Sequence, residues 1–106
     1  MADVRAELYN DSVEIPTYVD ARVLGASTAE TFTVPAGYYF AVFSGNVAVG
    51  DYYTKIGGTA AVPAADISDG SASFPNIGYC RVTPGQVISV ISPTAGIITI
   101  AFYPAP

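Results

Sequence analysis

The residues best suited to chemistry are the acids and the serine of the segment DISDG at residues 66–70, with Asp51 in a second predicted loop. Clustered carboxylate and hydroxyl oxygens are the ligands that calcium prefers. The same residue types are common in turns, where their side chains accept hydrogen bonds from nearby backbone amides. The segment lacks the alternating acids and the terminal glutamate of a calcium loop, so turn chemistry is the favoured interpretation.

Groups for acid–base or nucleophilic catalysis are scarce. The chain has no histidine, the side chain that titrates nearest neutral pH and the commonest metal ligand. Lys55 is the only lysine, which we interpret as a solvated charge at a strand end, and Cys80 is the only cysteine, which we interpret as a small buried hydrophobic residue. We therefore expect no enzymatic activity, no cofactor and no metal.

Two tyrosine doublets, at 38–39 and 52–53, lie in predicted strands. Successive strand side chains point to opposite faces, so each doublet should place one ring inward and one outward. An outward tyrosine suits a protein interface, and it suits a cross-strand aromatic pair equally well. The residues predicted to contact a partner are these tyrosines and four residues of the loop that follows: Tyr38, Tyr39, Tyr52, Tyr53, Asp66, Asp69, Phe74 and Asn76.

The composition is poor in charge. Charged residues make up 12% of the 106 residues and hydrophobic residues 51%, whereas a typical soluble domain carries about 25% charged residues. Such a surface is a liability in isolation but is reasonable where other subunits cover it. We therefore expect a homo-oligomer, a dimer or a trimer, with a monomer whose surface is rich in Ser and Thr as the alternative.

The charge balance excludes one class of partner. The formal net charge is −5, and the four basic residues do not cluster, so the chain cannot neutralise a run of phosphates and is not expected to bind nucleic acid. No apolar run reaches the roughly 20 residues that span a bilayer, so no membrane association is expected. The length suits one domain.

The pattern along the chain is one of short strands and turns, which predicts an all-β, antiparallel β-sandwich with jelly-roll-like character and about eight strands. Residues 13–20 contain Pro16 and are predicted to be an extended connector, within a possible N-terminal arm at 1–20. The predicted strands are 3–9, 21–24, 30–34, 38–44, 52–56, 79–83, 86–92 and 97–103, with a further short one possible at 47–49.

Two features of this pattern predict tertiary structure. The turn Pro35-Ala36-Gly37 should join 31–34 and 38–43 into a hairpin, since proline presets φ and glycine supplies a positive φ. The strands at 86–92 and 97–103 carry no charge and are apolar on both faces. They should therefore lie centrally in a sheet or pair across a subunit boundary, because exposed edges of this kind aggregate.

The segment 57–78 is predicted to be a long loop. Its sequence lacks a clear period and is interrupted by prolines and glycines, with one helical turn at most, at 64–67. Long irregular segments in small domains are usually functional or mobile. We expect this loop and the N-terminal arm to contact a partner.

Three stretches resemble small structural proteins of tailed bacteriophages and prophages. They are VLGASTAETFTVPAGYYFAVFSG at 23–45, YYTKIGGTAAVPAADISDGSASFPNIGYCRV at 52–82 and IITIAFY at 97–103. The shared features are the VPAG turn, the loop K-GGTAAVPAAD–DGSAS and the terminus ending in AFY. The resemblance covers most of the chain after residue 22, and its motifs are not catalytic signatures.

The resemblance implies a virion component, with a capsid decoration (cement) protein as first choice. Such a protein would have a jelly-roll-like fold and would be made in the host cytoplasm. It would bind the major capsid protein at the outer capsid surface as an oligomer and stabilise the shell. The alternative is a tail or fibre module that binds a host-surface glycan through its outward tyrosines.

Overall fold

The computed structural model describes residues 18–46 and 50–104 of the chain. These residues contain strands, turns and bends and no helix, which confirms the predicted all-β class. The strands are β1 (Tyr18–Leu24), β2 (Glu30–Thr33), β3 (Phe40–Gly45), β4 (Tyr53–Ile56), β5 (Phe74–Pro75), β6 (Tyr79–Arg81), β7 (Val87–Ile91) and β8 (Gly96–Tyr103).

The strands form two antiparallel four-stranded sheets, in the order β1-β8-β3-β6 in sheet I and β2-β7-β4-β5 in sheet II. The pairs are nested along the sequence: β1 pairs with β8, β2 with β7, β3 with β6 and β4 with β5. Successive pairs alternate between the sheets. Nested antiparallel pairs rolled into two sheets give the jelly-roll arrangement, so the predicted jelly-roll-like β-sandwich is confirmed.

The core lies between the two sheets and is built from alternating strand residues. Ile98, Ile100 and Phe102 of β8 point inward from sheet I, and they are fully buried. Phe32 of β2 and its cross-strand partner Ile88 of β7 meet them from sheet II, also fully buried. Period-2 alternation thus places one face of each sheet in a common core.

The predicted hairpin of 31–34 with 38–43 is wrong. The turn itself forms, with the Tyr38 amide donating to the Pro35 carbonyl at 3.3 Å and Gly37 at φ +84°. However, β2 pairs with β7 in sheet II, whereas β3 pairs with β8 and β6 in sheet I. The turn therefore carries the chain from one sheet to the other.

The prediction that the last two strands are central is confirmed. β7 lies between β2 and β4, and β8 lies between β1 and β3. Each strand has neighbours on both sides, so its backbone hydrogen bonds are satisfied without an exposed edge.

Other predicted boundaries differ from the structure. The connector predicted at 13–20 overlaps β1, which begins at Tyr18, and β5 lies inside the predicted loop 57–78. Residues 64–67 form no helical turn. The predicted strand at 3–9, the possible strand at 47–49 and the arm up to residue 17 lie outside the described residues.

Candidate functional site

The outer face of sheet I is the most distinctive surface of the described chain. Cross-strand register places residues of its four strands on this face side by side. Its large hydrophobic side chains that are exposed to solvent are Val19, Val23, Val42, Tyr79 and Ile97. Val23 is 75% and Tyr79 62% exposed. Register places Val19, Val42 and Tyr79 in one row across the sheet and Val23 and Ile97 in another, with Ala21, Thr99 and Ser44 between them. Exposed apolar side chains grouped on one face are typical of interaction surfaces.

Strand β1 produces much of this patch because its middle residues turn apolar side chains outward and charged side chains inward, between Tyr18 and the buried Leu24 on the inner side. Val19, Ala21 and Val23 alternate along β1 and face outward, in register with outer-face residues of β8. The intervening Asp20 and Arg22 pair with the buried Ile100 and Ile98 and therefore lie on the inner side. A strand at a sandwich surface ordinarily turns its apolar side to the core, so β1 places its apolar side where solvent or a partner must meet it.

Part of the outer face of sheet II is covered by the chain itself. Ser89 of β7 points outward between Thr31 and Lys55, yet it is only 1% exposed. Ala60 of the β4–β5 loop lies over it, with the Ala60 amide donating to Ser89 Oγ at 2.9 Å. The Lys55 ammonium also donates to the Ser71 carbonyl of this loop. The segment predicted to be irregular therefore packs on one sheet, while sheet I has no such cover within the described residues.

Tyr38 and Tyr39 lie where the chain enters sheet I. Tyr38 is half-buried and packs on the core, with its ring 5.4 Å from that of Tyr18. Tyr39 is exposed. The two rings thus differ in exposure, but both residues precede β3, which begins at Phe40, so they are not an example of the predicted alternation along a strand. On the outer face of the same sheet, the rings of Phe40 and Tyr79 form an edge-to-face pair 5.8 Å apart, a favourable aromatic geometry.

Tyr52 and Tyr53 lie at the start of β4. Tyr52 is only 8% exposed, and its hydroxyl donates to the Ile77 carbonyl. Burial raises the pKa of Tyr52, because the phenolate is costly away from water. Tyr53 is half-buried on the outer side of sheet II. Little of the Tyr52 ring is therefore available for direct contact with a partner.

Asn76 joins the loop to the start of β4. Its backbone N–H donates to the Tyr52 carbonyl at 2.8 Å, and its side-chain Oδ1 accepts from the Tyr52 backbone N–H at 3.0 Å. Its Nδ2 also donates to Asp51 Oδ1 at 3.2 Å. Asn76 has φ +51°, a left-handed conformation that asparagine tolerates better than most residues. These bonds hold the chain just after β5 against the start of β4, and Phe74 of β5 is 62% exposed.

Asp66 and Asp69 lie in the exposed part of the same loop. They line an open depression of about 360 Å³ together with Ile67, Ser68 and Ser71. Asp69 Oδ1 accepts hydrogen bonds from the Ser71 hydroxyl at 2.6 Å and the Ser71 amide at 3.0 Å. These bonds lower the pKa of Asp69. This is the turn chemistry favoured from the sequence, and no cluster of three potential metal-ligating acids, histidines or cysteines occurs among the described residues.

Cys80 belongs to the inner side of β6. It pairs with the buried Ala41 and packs against the core, and burial raises the pKa of its thiol. A raised thiol pKa disfavours the reactive thiolate. The position suits the role of a small hydrophobic residue.

The structure separates the eight predicted contact residues into distinct regions. Tyr38 and Tyr39 lie at sheet I, whereas Asp66 and Asp69 lie in the β4–β5 loop and Phe74 lies in β5 of sheet II. Sequence reasoning missed the outer-face residues Val19, Val23, Val42, Tyr79 and Ile97. One signal could have found part of this set: the strict alternation of Val19, Ala21 and Val23 just after Pro16.

Comparison with protein-family models, curated proteins and solved structures finds no match for this chain. Within the described residues, no helix is long and apolar enough to cross a membrane.

Proposed function

We propose that this protein is a structural component of a phage virion, a capsid decoration protein that acts by contact and not by catalysis. The observation that carries the proposal is the set of exposed hydrophobic side chains on the outer face of sheet I, which no other described segment covers, beside a sheet II whose outer face the chain partly covers. A broad apolar sheet face suits association with other protein surfaces. The resemblance of residues 23–45, 52–82 and 97–103 to phage structural proteins supports the virion context.

The exposed part of the β4–β5 loop is the proposed contact with the major capsid protein. The loop presents the exposed Ile67 beside Asp66 and Asp69, and strand β5, which follows the loop, presents the exposed Phe74. Hydrogen bonds of Ala60 to Ser89 and of Lys55 to Ser71 hold both ends of the loop against sheet II, which reduces the ordering entropy lost on binding. Apolar side chains with charged neighbours match the core-and-rim composition of protein interfaces.

The direct test is co-sedimentation of the labelled full-length protein with expanded capsids of the phage or prophage that carries its gene. We expect saturable binding that the double variant Ile67→Ser, Phe74→Ser weakens at least about tenfold, since exposed hydrophobic anchors dominate such contacts. The matched control is Val87→Ser, which removes an exposed hydrophobic side chain from β7. No binding by the folded wild-type protein would contradict the proposal.

Point variants are preferable to a loop deletion. Removing residues 59–77 would delete β5, the Ala60–Ser89 hydrogen bond and the Asn76 contacts. Such a deletion would expose buried polar groups of sheet II and destabilise the fold, so lost binding would carry no information about the contact.

A tail or fibre module that binds a host-surface glycan is the second candidate. The observation that favours it is the exposure of Tyr39 and Tyr79, whose rings could stack on a sugar. A glycan array separates the two proposals. Specific glycan binding that Tyr79→Ala abolishes, together with no capsid binding, would favour the tail module.

A further inference from the structure

The outer face of sheet I has the chemistry of a self-complementary surface. Its exposed hydrophobic residues come from all four strands, and Arg81 on edge strand β6 is the one charged residue on this face among the described residues. The described acids lie elsewhere: Asp20 and Glu30 point toward the sandwich interior, and Asp51, Asp66 and Asp69 lie in the turns and the loop around sheet II. Two such faces can meet without bringing the described acids into contact.

The size of the face suits a weak dimer. Four strands spaced by about 4.8 Å and averaging about 6 residues of 3.3 Å rise span on the order of 400 Å² in plane. The two faces together then bury a projected area of about 800 Å². The accessible surface area that they bury is larger, because side chains project from each face. This lies at the lower end of specific interfaces, so association should depend on concentration.

Other segments of the chain fit this face less well. The only long segment outside the described residues is 1–17, in which Val4, Ala6 and Leu8 supply one apolar side. A single strand is about 4.8 Å wide and would cover one strand of four. A second copy of sheet I matches the whole width of the face, and aligned packing of two sheets is a common arrangement.

We propose that two copies of this chain pack through the outer faces of sheet I, about a two-fold axis. Val42 of each copy then lies near the middle of the interface, and Val23 and Ile97 add apolar contacts toward one end of it. This packing explains the outward apolar side chains of β1. They become buried where the two copies meet, because the two sheets of each copy then form four stacked layers. The outer face of sheet II in each copy, with its β4–β5 loop, points away from the interface. This inference does not depend on the proposed capsid partner.

The test is sedimentation velocity of the full-length protein over a concentration series from micromolar to near-millimolar. We expect the mass to rise from 11.0 kDa to twice that value. Val42→Lys, in the middle of the face, should raise the dissociation constant about a hundredfold, because each dimer would bury two unpaired charges. Val23→Lys, at the edge strand, should weaken association in the same direction and is less prone to affect folding, since Val23 is largely exposed.

Val87→Lys is the matched control, because Val87 is an exposed valine in a strand of the other sheet. It should dimerise like the wild type, and circular dichroism should show that all three variants are folded. A wild-type protein that stays monomeric throughout, a trimeric mass, or equal loss of association in Val42→Lys and Val87→Lys would each overturn the proposal.

Hydroxyl-radical labelling identifies the occupant of the face. Tyr79 and Phe74 are equally exposed in the single chain, at 62% each, and only Tyr79 lies on the outer face of sheet I. We expect labelling of Tyr79 to fall as concentration rises while that of Phe74 stays constant. Protection of Tyr79 at every concentration would instead mean that the chain covers its own face, and this would overturn the proposal.

Discussion

The guanidinium of Arg22 lies 4.7 Å above the ring of Phe32, so a charge on β1 caps a fully buried aromatic residue of β2. Arg22 Nε also donates to the Thr31 carbonyl at 3.0 Å, and another of its nitrogens donates to the Ala21 carbonyl at 3.0 Å. These contacts join the two sheets along the side where β1 and β2 meet. They also provide partners for the guanidinium of Arg22, which lies on the inner side of β1.

Replacing Arg22 with glutamine should lower the free energy of unfolding by about 1–2 kcal/mol. The change removes a partly desolvated cation–π contact and leaves the Thr31 carbonyl without its charged donor. Urea unfolding at a concentration where the protein is monomeric measures this. The matched variant Arg81→Gln alters an exposed arginine of β6 and should change stability by less than about 0.5 kcal/mol. Equal effects of the two changes would contradict the assigned role of Arg22.

Replacing Asn76 with alanine should destabilise the fold by about 2 kcal/mol. Its side chain holds both the Tyr52 amide and Asp51, and alanine is strained at φ +51°. Asn76→Gly loses the same side-chain bonds but relieves the strain, so it should be the more stable of the two variants. Thermal unfolding of both variants checks the order, and an alanine variant as stable as the glycine variant would contradict it.

Replacing Tyr52 with phenylalanine should cost about 1 kcal/mol at neutral pH, because the Ile77 carbonyl loses its donor. The raised pKa of Tyr52 adds a pH signature. The fold favours the neutral hydroxyl, so this contribution is fully present below about pH 10, the ordinary pKa of tyrosine. It is lost as the pH rises through the higher folded-state pKa.

The measurement is the difference in free energy of unfolding between wild type and Tyr52→Phe from neutral to strongly alkaline pH. Subtraction cancels the ionisation of the other tyrosines. We expect the advantage of the wild type to shrink on the alkaline side, and a pH-independent difference would count against the burial argument.

Replacing Thr54 with valine should leave stability unchanged or raise it by about 0.5–1 kcal/mol. Thr54 is buried on the inner side of β4, and its hydroxyl has no hydrogen-bond partner. Valine has nearly the same shape and removes the unpaired polar group. Thr31→Val, at an exposed position of β2, is the control. Destabilisation of Thr54→Val by more than about 1 kcal/mol would indicate that the hydroxyl has a partner in solution.

Strand positions could be predicted from the sequence because alternation is a local signal. The predicted strands 30–34 and 97–103 differ from β2 and β8 by one residue, and the uncharged β7 and β8 pointed to central positions. Strand pairing could not be predicted in this way. The Pro35–Gly37 turn has the same local chemistry whether it closes a hairpin or carries the chain between sheets, and only long-range packing decides.

The site was harder to predict for the same reason. Alternation shows that Val19, Ala21 and Val23 share a side of β1 but not which side faces the core. In the structure the inward side brings Arg22 over Phe32 of the opposite sheet, a long-range contact that the local pattern does not reveal. Similarly, no local pattern indicates that Ala60 covers Ser89, because the contact joins residues 29 positions apart.

The nested strand pairs also set an order of events during folding. Pairing of β4 with β5 shortens the loop that must close before β3 can pair with β6. Each pair that forms shortens, in the same way, the loop that separates the strands of the pair enclosing it. The pairing of Tyr18 with Phe102 closes the longest loop and should form last. Until then β8, which contains no charge, has an open edge to which other chains can add. Refolding yield should therefore depend more on protein concentration than on time.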